Sequence, residues 1–463
     1  MLINVAALAV SFCACAIAGR PFRFDHTPRP CQPPTKDVQQ PLYLTPLIKK
    51  GQLGEAKVSA FVGPLIKANV PSYSGFLTVN ETTNSHMFFW FFPAATNSCT
   101  VPIMLWLQGG PGVSSLFGLF NEHGPYEITA DHVARLRNTS WTQQLNMLYI
   151  DNPVGAGFSF TKSKNGYPTS ETEVARDLVE ALRQFFTLFS EYSHNDFYIA
   201  GESYAGKYVP ALAHALHKKR NDKLGIAKLT GLAIGNGWCD PPSLLHDVDF
   251  LLQTGLVDKL QAAELRKTQK EIRNLIAQKN YTSAFTKFGT FYSGVRTFTG
   301  VDAYNFVRSS PDPPRSFAYY EQFVQSAGTR RAIHVGNATF DPVSNAAYNT
   351  LYGDVMRSVK PLIAELMDEY KVLIYNGQFD ILVAAPLTAR FVNSIKWSGA
   401  KQLAKTKRII WRNRRTNDTA GYVRKVARFT EVMVRNAGHM VPFDQPENAY
   451  DMIERFVNNK PFA

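Results

Sequence analysis

Residues 196–206 read DFYIAGESYAG, and the fold follows from this stretch. Phe197, Tyr198 and Ile199 are aromatic or β-branched and predict a buried strand. Gly201 breaks the run, Ser203 falls at a turn, and residues 204–216 read as a helix. A serine on a tight strand-to-helix turn has its hydroxyl lifted clear of the backbone, and the next N–H points into the same space. This arrangement is a nucleophile elbow. Its usual pattern is G-x-S-x-G; Ala205 stands in the fifth place here and Gly206 follows, and both are small enough to keep the turn tight.

Around the elbow, strand and helix patterns alternate. Residues 74–79 and 86–92 predict two strands joined by a polar turn at 81–84. Residues 102–107 predict a buried strand that runs into Gln108-Gly109-Gly110-Pro111-Gly112, and 146–150 predict another. Over 172–189, Val174, Leu178, Leu182, Phe185 and Phe189 recur near a period of 3.6, the mark of an amphipathic helix. The elbow follows, then a strand at 229–234. Such alternation predicts an α/β fold with a mostly parallel sheet covered on both faces. From 240 to 340 helical patterns replace strands, with Leu265, Ile272, Leu275 and Ile276 marking one helix. This reads as an insertion, a helical cap over the carboxyl edge of the sheet. Strand signals return at 371–375, so the core divides into 19–239 and 341–463 around a cap at 240–340.

The composition, 45% hydrophobic and 19% charged over 463 residues, belongs to a globular chain and excludes a disordered one. Residues 2–18 are apolar and end in small-x-small patterns, the signature of a secretory signal peptide over 1–18. No later run reaches the roughly 18 apolar residues of a membrane span. Five Asn-x-Ser/Thr sequons, at Asn80, Asn138, Asn280, Asn337 and Asn417, agree with a secretory route, secreted or lysosomal. Cys13 and Cys15 leave with the signal; Cys31, Cys99 and Cys239 remain, which predicts one disulfide and one free thiol. Neither Cys-x-x-Cys nor a Cys/His cluster at zinc spacing is present, so no metal or cofactor is expected. The net charge of +13 concentrates at 401–428, where ten Lys or Arg residues face only Asp418. With no nucleic-acid motif beside it, this segment reads as a solvated β-hairpin, 407–412 with 422–429, rather than a nucleic-acid surface.

A serine nucleophile requires a base, an acid that orients the base, and donors for the oxyanion. In hydrolases built on this elbow they follow in the order Ser, Asp, His at strand ends. Asp380 lies in the loop Asn376-Gly377-Gln378-Phe379-Asp380 after the strand at 372–375. His439 lies in Asn436-Ala437-Gly438-His439 after a strand at 431–434, and a helix from about Pro446 closes the chain. The N–H groups of Tyr204 and Gly110 are placed to hold an oxyanion, since glycine lets a backbone donor approach closely.

The sequence resembles the serine carboxypeptidases, and most of all their vitellogenic carboxypeptidase-like branch. The resemblance rests on LWLQGGPGVSSLFGLFNEHGP, WTQQLNMLYIDNPVGAGFSF, FYIAGESYAGKYVP, GLAIGNGWCDP, VLIYNGQFDILV and VRNAGHMVPFDQP, and extends from about Tyr73 to the C-terminus. It implies an α/β-hydrolase fold with a helical insertion, with Ser203, Asp380 and His439 as the triad and Gly110 and Tyr204 as oxyanion donors. It also implies that Glu122 and Glu202 bind the free C-terminal carboxylate of a peptide, with Gln108 in the place where the family usually has Asn. Two adjacent buried carboxyls cannot both ionise cheaply, so one keeps a proton to donate, and activity is expected to favour acid pH. A second departure is Val113, where the family usually has a cysteine; it removes one expected disulfide. The activity expected is release of single C-terminal residues through an acyl-enzyme. An acyltransferase or esterase on the same triad, or a non-enzymatic binding role, would fit the same residues.

Overall fold

The computed structural model describes residues 40–462, apart from 64, 66–69, 97, 223 and 309–311. The signal segment 1–18 and Cys31 lie outside the described residues. One sheet contains β1 (Phe61–Val62), β2 (Ser72–Asn80), β3 (Ser85–Phe92), β4 (Ile103–Leu107), β5 (Asn146–Ile150) and β6 (Phe160–Thr161). It continues with β7 (Phe197–Glu202), β8 (Leu229–Gly235), β9 (Lys371–Gly377), β10 (Ile409–Arg412), β11 (Thr419–Val426) and β12 (Phe429–Val434). Their spatial order is β1-β2-β3-β5-β4-β7-β8-β9-β12-β11-β10, with β6 against β3.

The six central strands, from β5 to β12 in that order, are parallel. The flanks are antiparallel. Parallel pairing thus occupies the centre of the sheet, and the short turns at 81–84 and 427–428 force antiparallel pairing where hairpins replace helical crossovers. In β4, Ile103, Leu105 and Leu107 enter one hydrophobic core while Met104 and Trp106 enter the other, all fully buried. Burial on both faces is why the strand is continuously apolar in sequence.

Helix α1 (Glu171–Leu188) starts at Ser170, whose side chain accepts from the Glu173 N–H, and turns Val174, Leu178, Leu182 and Phe185 into the first core beside α2 (Ala205–Lys218). Between β8 and β9 the described residues contain helices and no strand. The two longest are α3 (Lys259–Ala277), opened by a reciprocal Asp258–Gln261 cap, and α4 (Tyr281–Thr299), opened by Asn280 and closed by Gly300 at φ +66°. Helicity continues past 340, through Asn345–Leu351 and Lys360–Glu369. The last helix, α5 (Pro446–Val457), covers the second core with Met452, Ile453 and Phe456. No helix among the described residues is long and apolar enough to cross a membrane.

The basic segment folds as the β10–β11 hairpin, and Arg414, Arg415 and Arg424 are ion-paired with Glu454, Glu447 and Glu431. Asn138, Asn280, Asn337 and Asn417 are exposed, and Asn80 is half-buried. The cysteine expectation needs correcting: Cys99 and Cys239 are both free thiols, one exposed and one buried. Cys99 precedes β4 and Cys239 follows β8, so they sit at opposite edges of the parallel sheet, beyond the roughly 7 Å that a disulfide spans between Cα atoms.

Phe185 is fully buried and meets Phe89 and Phe91 edge-on, at 5.8 and 5.0 Å between ring centres. Phe185→Ala is expected to destabilise the fold by about 3–5 kcal/mol, through lost burial and the cavity left behind. Denaturant unfolding reads the loss, and activity per folded molecule stays unchanged because the ring packs on β3 within the first core and does not line the cleft.

Candidate active site

The carboxyl ends of β4, β7, β8, β9 and β12 lie side by side. At the end of β7, Ser203 adopts φ +61°, rare outside glycine, and the turn is fixed on both sides. The Ser203 N–H donates to the Gly235 carbonyl (3.0 Å), and the Ser203 carbonyl accepts from Gly206 (2.9 Å) and Trp238 (2.8 Å). A Cβ at Gly206 would lie 2.7 Å from the Gly237 Cα, so α2 approaches the β8 turn as closely as backbones can. Likewise the turn after β4 touches the elbow directly: a Cβ at Gly109 would lie 2.6 Å from the Tyr204 nitrogen and 2.7 Å from the Ser203 Cβ. Gly110, at φ +114°, lines the same cleft as Ser203 and Tyr204.

His439 and Asp380 meet at 2.7 Å, Nδ1 to Oδ2. An acceptor-only carboxylate fixes the proton on Nδ1 and leaves Nε2 as a base. Nε2 is buried, makes no hydrogen bond, and belongs to the cleft that Ser203 lines. Asp380 is fully buried and held by two further donors, Asn236 Nδ2 (2.6 Å to Oδ2) and the Val383 N–H (3.1 Å to Oδ1).

Glu202 and Glu122 are both buried, and Gln108 joins them: Nε2 donates to Glu202 Oε1 (2.7 Å) and Glu122 Oε1 (3.2 Å). Trp106 Nε1 donates to the Gln108 Oε1 at 2.8 Å, so the amide is fully engaged and its orientation fixed. Glu122 lies on a π-helical turn, Gly118–His123, where a Cβ at Gly118 would lie 2.3 Å from Trp106 Nε1. Burial pushes Glu122 up to about 8. Burial first, and the Glu122 charge second, raises Glu202 well above the carboxylate range. The pair therefore retains protons at neutral pH. The longer Gln108 spends both amide hydrogens on the two glutamates, so it organises the pair rather than offering a free donor.

A cleft with a cavity volume of about 50 Å³ lies against these groups. Much of its wall is apolar: Phe285 and Phe288 from α4, Trp238, Val355, Leu382 and Met440. Trp238 Nε1 donates to the Val355 carbonyl (2.9 Å), and the indole packs on Phe288 at 5.0 Å, which fixes that wall.

Three neighbours escaped the sequence reading. Asn236, at φ +42°, donates to Asp380 and accepts from the Gly377 N–H (3.2 Å). Its signal was an Asn between two glycines directly after a predicted strand. Lys207 is fully buried, and its ammonium binds the side chain and carbonyl of Asp354; Tyr204 donates to the same carboxylate at 3.3 Å. One turn after Ser203, that lysine could have been flagged as a charge on a helix face otherwise apolar. Tyr304, whose carbonyl accepts from the His439 N–H (2.6 Å), carries no sequence signal because the contact is through its backbone.

A family model described as serine carboxypeptidase matches residues 64–459. The venom serine carboxypeptidase of Apis mellifera is 47% identical over 436 residues, 92% of this chain and 93% of that protein. The chain belongs to the serine carboxypeptidase family. The probable serine carboxypeptidase CPVL of Homo sapiens is 45% identical over 439 residues, 92% of each chain. Among solved structures, the prohormone-processing carboxypeptidase Kex1 of Saccharomyces cerevisiae superposes with a TM-score of 0.79 at 22% identity, covering 87% of this chain and 96% of its own. That likeness is one of fold, the α/β-hydrolase fold with its mixed sheet between helices. The activity of the chain is that of a serine carboxypeptidase.

In this serine carboxypeptidase, Asn236→Ala removes a hydrogen bond to a buried carboxylate, an interaction worth about 1.5–3 kcal/mol. We expect kcat to fall about 10- to 100-fold with KM little changed. Steady-state kinetics on a peptide substrate check this, and a loss confined to KM would contradict it.

Proposed function

We propose that Ser203 is the nucleophile of this carboxypeptidase and that it cleaves the last peptide bond of substrates with a free C-terminus. His439 Nε2 takes the Ser203 Oγ proton as the oxygen attacks the carbonyl carbon. The negative charge that develops on the carbonyl oxygen is received by the N–H groups of Gly110 and Tyr204. Collapse expels the C-terminal residue, whose amine takes the proton back from Nε2, and leaves an ester on Ser203. Water, deprotonated by His439, then hydrolyses that ester. Asp380 holds the imidazole in the Nδ1–H form throughout.

One observation carries the exopeptidase reading: a buried, proton-retaining carboxyl pair immediately beside the nucleophile. Glu202 precedes Ser203 in the chain, and a carboxyl that keeps its proton can donate to a substrate carboxylate where an ionised one would repel it. An endopeptidase has no use for such a pair. The apolar wall of the cleft favours apolar side chains on the residues flanking the scissile bond. The helical segment 240–340 serves as a cap over the entrance, a reading supported by Phe285 and Phe288 lining the cleft. The signal segment and the exposed sequons favour a secretory route, ending in secretion or the lysosome.

Ser203→Ala is expected to abolish release of C-terminal residues by purified protein, followed by mass spectrometry of a peptide digest. Amidating the C-terminus of the same peptide is expected to abolish turnover by the unmodified enzyme. Turnover indifferent to amidation would mean an esterase or acyltransferase instead.

The carboxyl pair also sets a pH dependence. Glu122 loses its proton as pH rises through about 8, and the substrate carboxylate then meets a negative charge. KM for a free-acid peptide is therefore expected to be low and flat at acid pH and to climb between pH 7 and 9. A KM that stays flat to pH 9 would exclude proton donation by the pair.

A further inference from the structure

The segment from Asp302 to Arg308, between α4 and the helices that follow it, grips both loops that carry the acid and the base. Toward the acid loop, Ile381 N–H (3.0 Å) and Leu382 N–H (3.3 Å) donate to the Ala303 carbonyl, and Phe306 N–H donates to the Phe379 carbonyl (3.1 Å). These bonds bracket Asp380 on either side. Toward the base loop, His439 N–H donates to the Tyr304 carbonyl (2.6 Å), and the Tyr304 ring lies 5.0 Å from the imidazole. A Cβ at Gly438 would meet that same carbonyl oxygen at 2.1 Å, so the two backbones touch.

A single side chain closes this grip. Arg308 donates from NH1 to Asp302 Oδ2 (3.0 Å) and from NH2 to Asp444 Oδ1 (2.6 Å). Asp444 in turn accepts on Oδ2 from the Gly438 N–H (2.7 Å) and from Asn305 Nδ2 (3.0 Å), while Asp302 Oδ1 accepts from the Tyr304 N–H (2.9 Å). The guanidinium is only one-fifth exposed and stacks on Phe317 and Phe443, 5.9 and 5.5 Å from the ring centres. Partly desolvated and bound by both arms of the fork, it is not an exposed pair of negligible worth. Two carboxylates, one at each end of the segment's contacts, are held together by the cation between them.

We propose that Arg308 is a positioning residue: it bridges Asp302 and Asp444, locks the 302–308 segment onto the His439 loop, and thereby fixes the imidazole relative to Asp380 and Ser203. It touches no substrate. The proposal rests on the reading of Ser203, Asp380 and His439 as the catalytic triad. It assigns the insertion a part in the chemistry as well as in shaping the cleft, since residues 302–308 belong to the helical stretch between β8 and β9.

The test compares Arg308→Ala, Arg308→Lys and Asp302→Asn with unmodified enzyme, all checked for folding by thermal melting. For Arg308→Ala we expect kcat to fall about 10- to 100-fold with KM within about twofold, the scale of a displaced catalytic group. The rate of reaction with an organophosphonate should fall by a similar factor, while the final number of titratable serines per folded molecule stays the same. Arg308→Lys, a point charge that reaches one partner at a time, should recover only part of kcat, and Asp302→Asn should show a smaller loss of the same kind. Unchanged kcat and phosphonylation rate in Arg308→Ala, or a loss confined to KM, would overturn the proposal. A fall in activity matched by an equal fall in titratable serines would also overturn it, because the arginine would then be merely structural. If Ser203→Ala itself retained activity, the triad reading would fail. A silent Arg308 variant beside an inactive Ser203→Ala would sink the positioning role alone.

Discussion

Contact between bare backbones at the carboxyl edge of the sheet is the constraint on which the rest depends. Gly109, Gly201 and Gly206 each lie where a methyl group would overlap main-chain or small side-chain atoms of a neighbouring turn. These contacts press the turn after β4, the elbow after β7 and the turn after β8 into one rigid ridge. Sheet geometry alone sets neighbouring strands about 4.8 Å apart, and ordinary side chains at these turns would splay them. With the glycines in place, Ser203 can adopt its left-handed φ because its N–H and carbonyl are both hydrogen-bonded to the β8 side. Strain at one residue is thus borne by bonds from another strand.

Behind this ridge the protein buries several ionisable side chains. Glu122 and Glu202 share Gln108, Asp380 sits at zero exposure against His439, and Lys207 is buried against Asp354. Desolvation penalises every one of these groups, and each is answered differently. The glutamates keep protons, Asp380 takes three donors, and Lys207 is matched by a carboxylate and a carbonyl. The outcome is a set of polar groups with fixed partners and fixed direction, the preorganisation that acyl transfer exploits. The cost in stability is offset by two large apolar cores, one on each face of the sheet.

Much of this was legible before any coordinates. The end of β4 at Leu107 follows from an apolar run that stops at a glycine-rich turn, because a fully buried strand must be apolar throughout and a turn cannot be. In contrast, β7 and β9 run on to Glu202 and Gly377, past the ends expected at Gly201 and Tyr375. Periodicity found α1, since one of its faces is core and the other solvent. Both antiparallel flanks read as hairpins, but the bounds of the second shift from 407–412 with 422–429 to Ile409–Arg412 with Thr419–Val426. An edge strand with exposed Ile409 and Ile410 among cations has no clean alternation to mark its ends. The expected disulfide failed because spacing in sequence says nothing of which edge of the sheet a cysteine occupies. Asn236 and Arg308 were missed for a common reason. Asn236 lies 144 residues from Asp380 and Arg308 lies 136 from Asp444, and neither residue type announces a buried partner.

The helical segment between β8 and β9 is the part where sequence patterns say least, and its physical role comes from how it is anchored. Aromatic residues of α4 hang over the cleft, so any change in the helix moves the apolar wall. The same stretch then runs down at 302–308 to bind the loops on either side of the His439–Asp380 bond. A segment tied at both places cannot shift at the entrance without loading the hydrogen bonds at its base. Insertions in surface loops are ordinarily tolerated because loop entropy grows slowly with length. This one is held by backbone bonds to two separate loops, and residues 302–308 have therefore far less freedom to change than the exposed faces of α3 and α4.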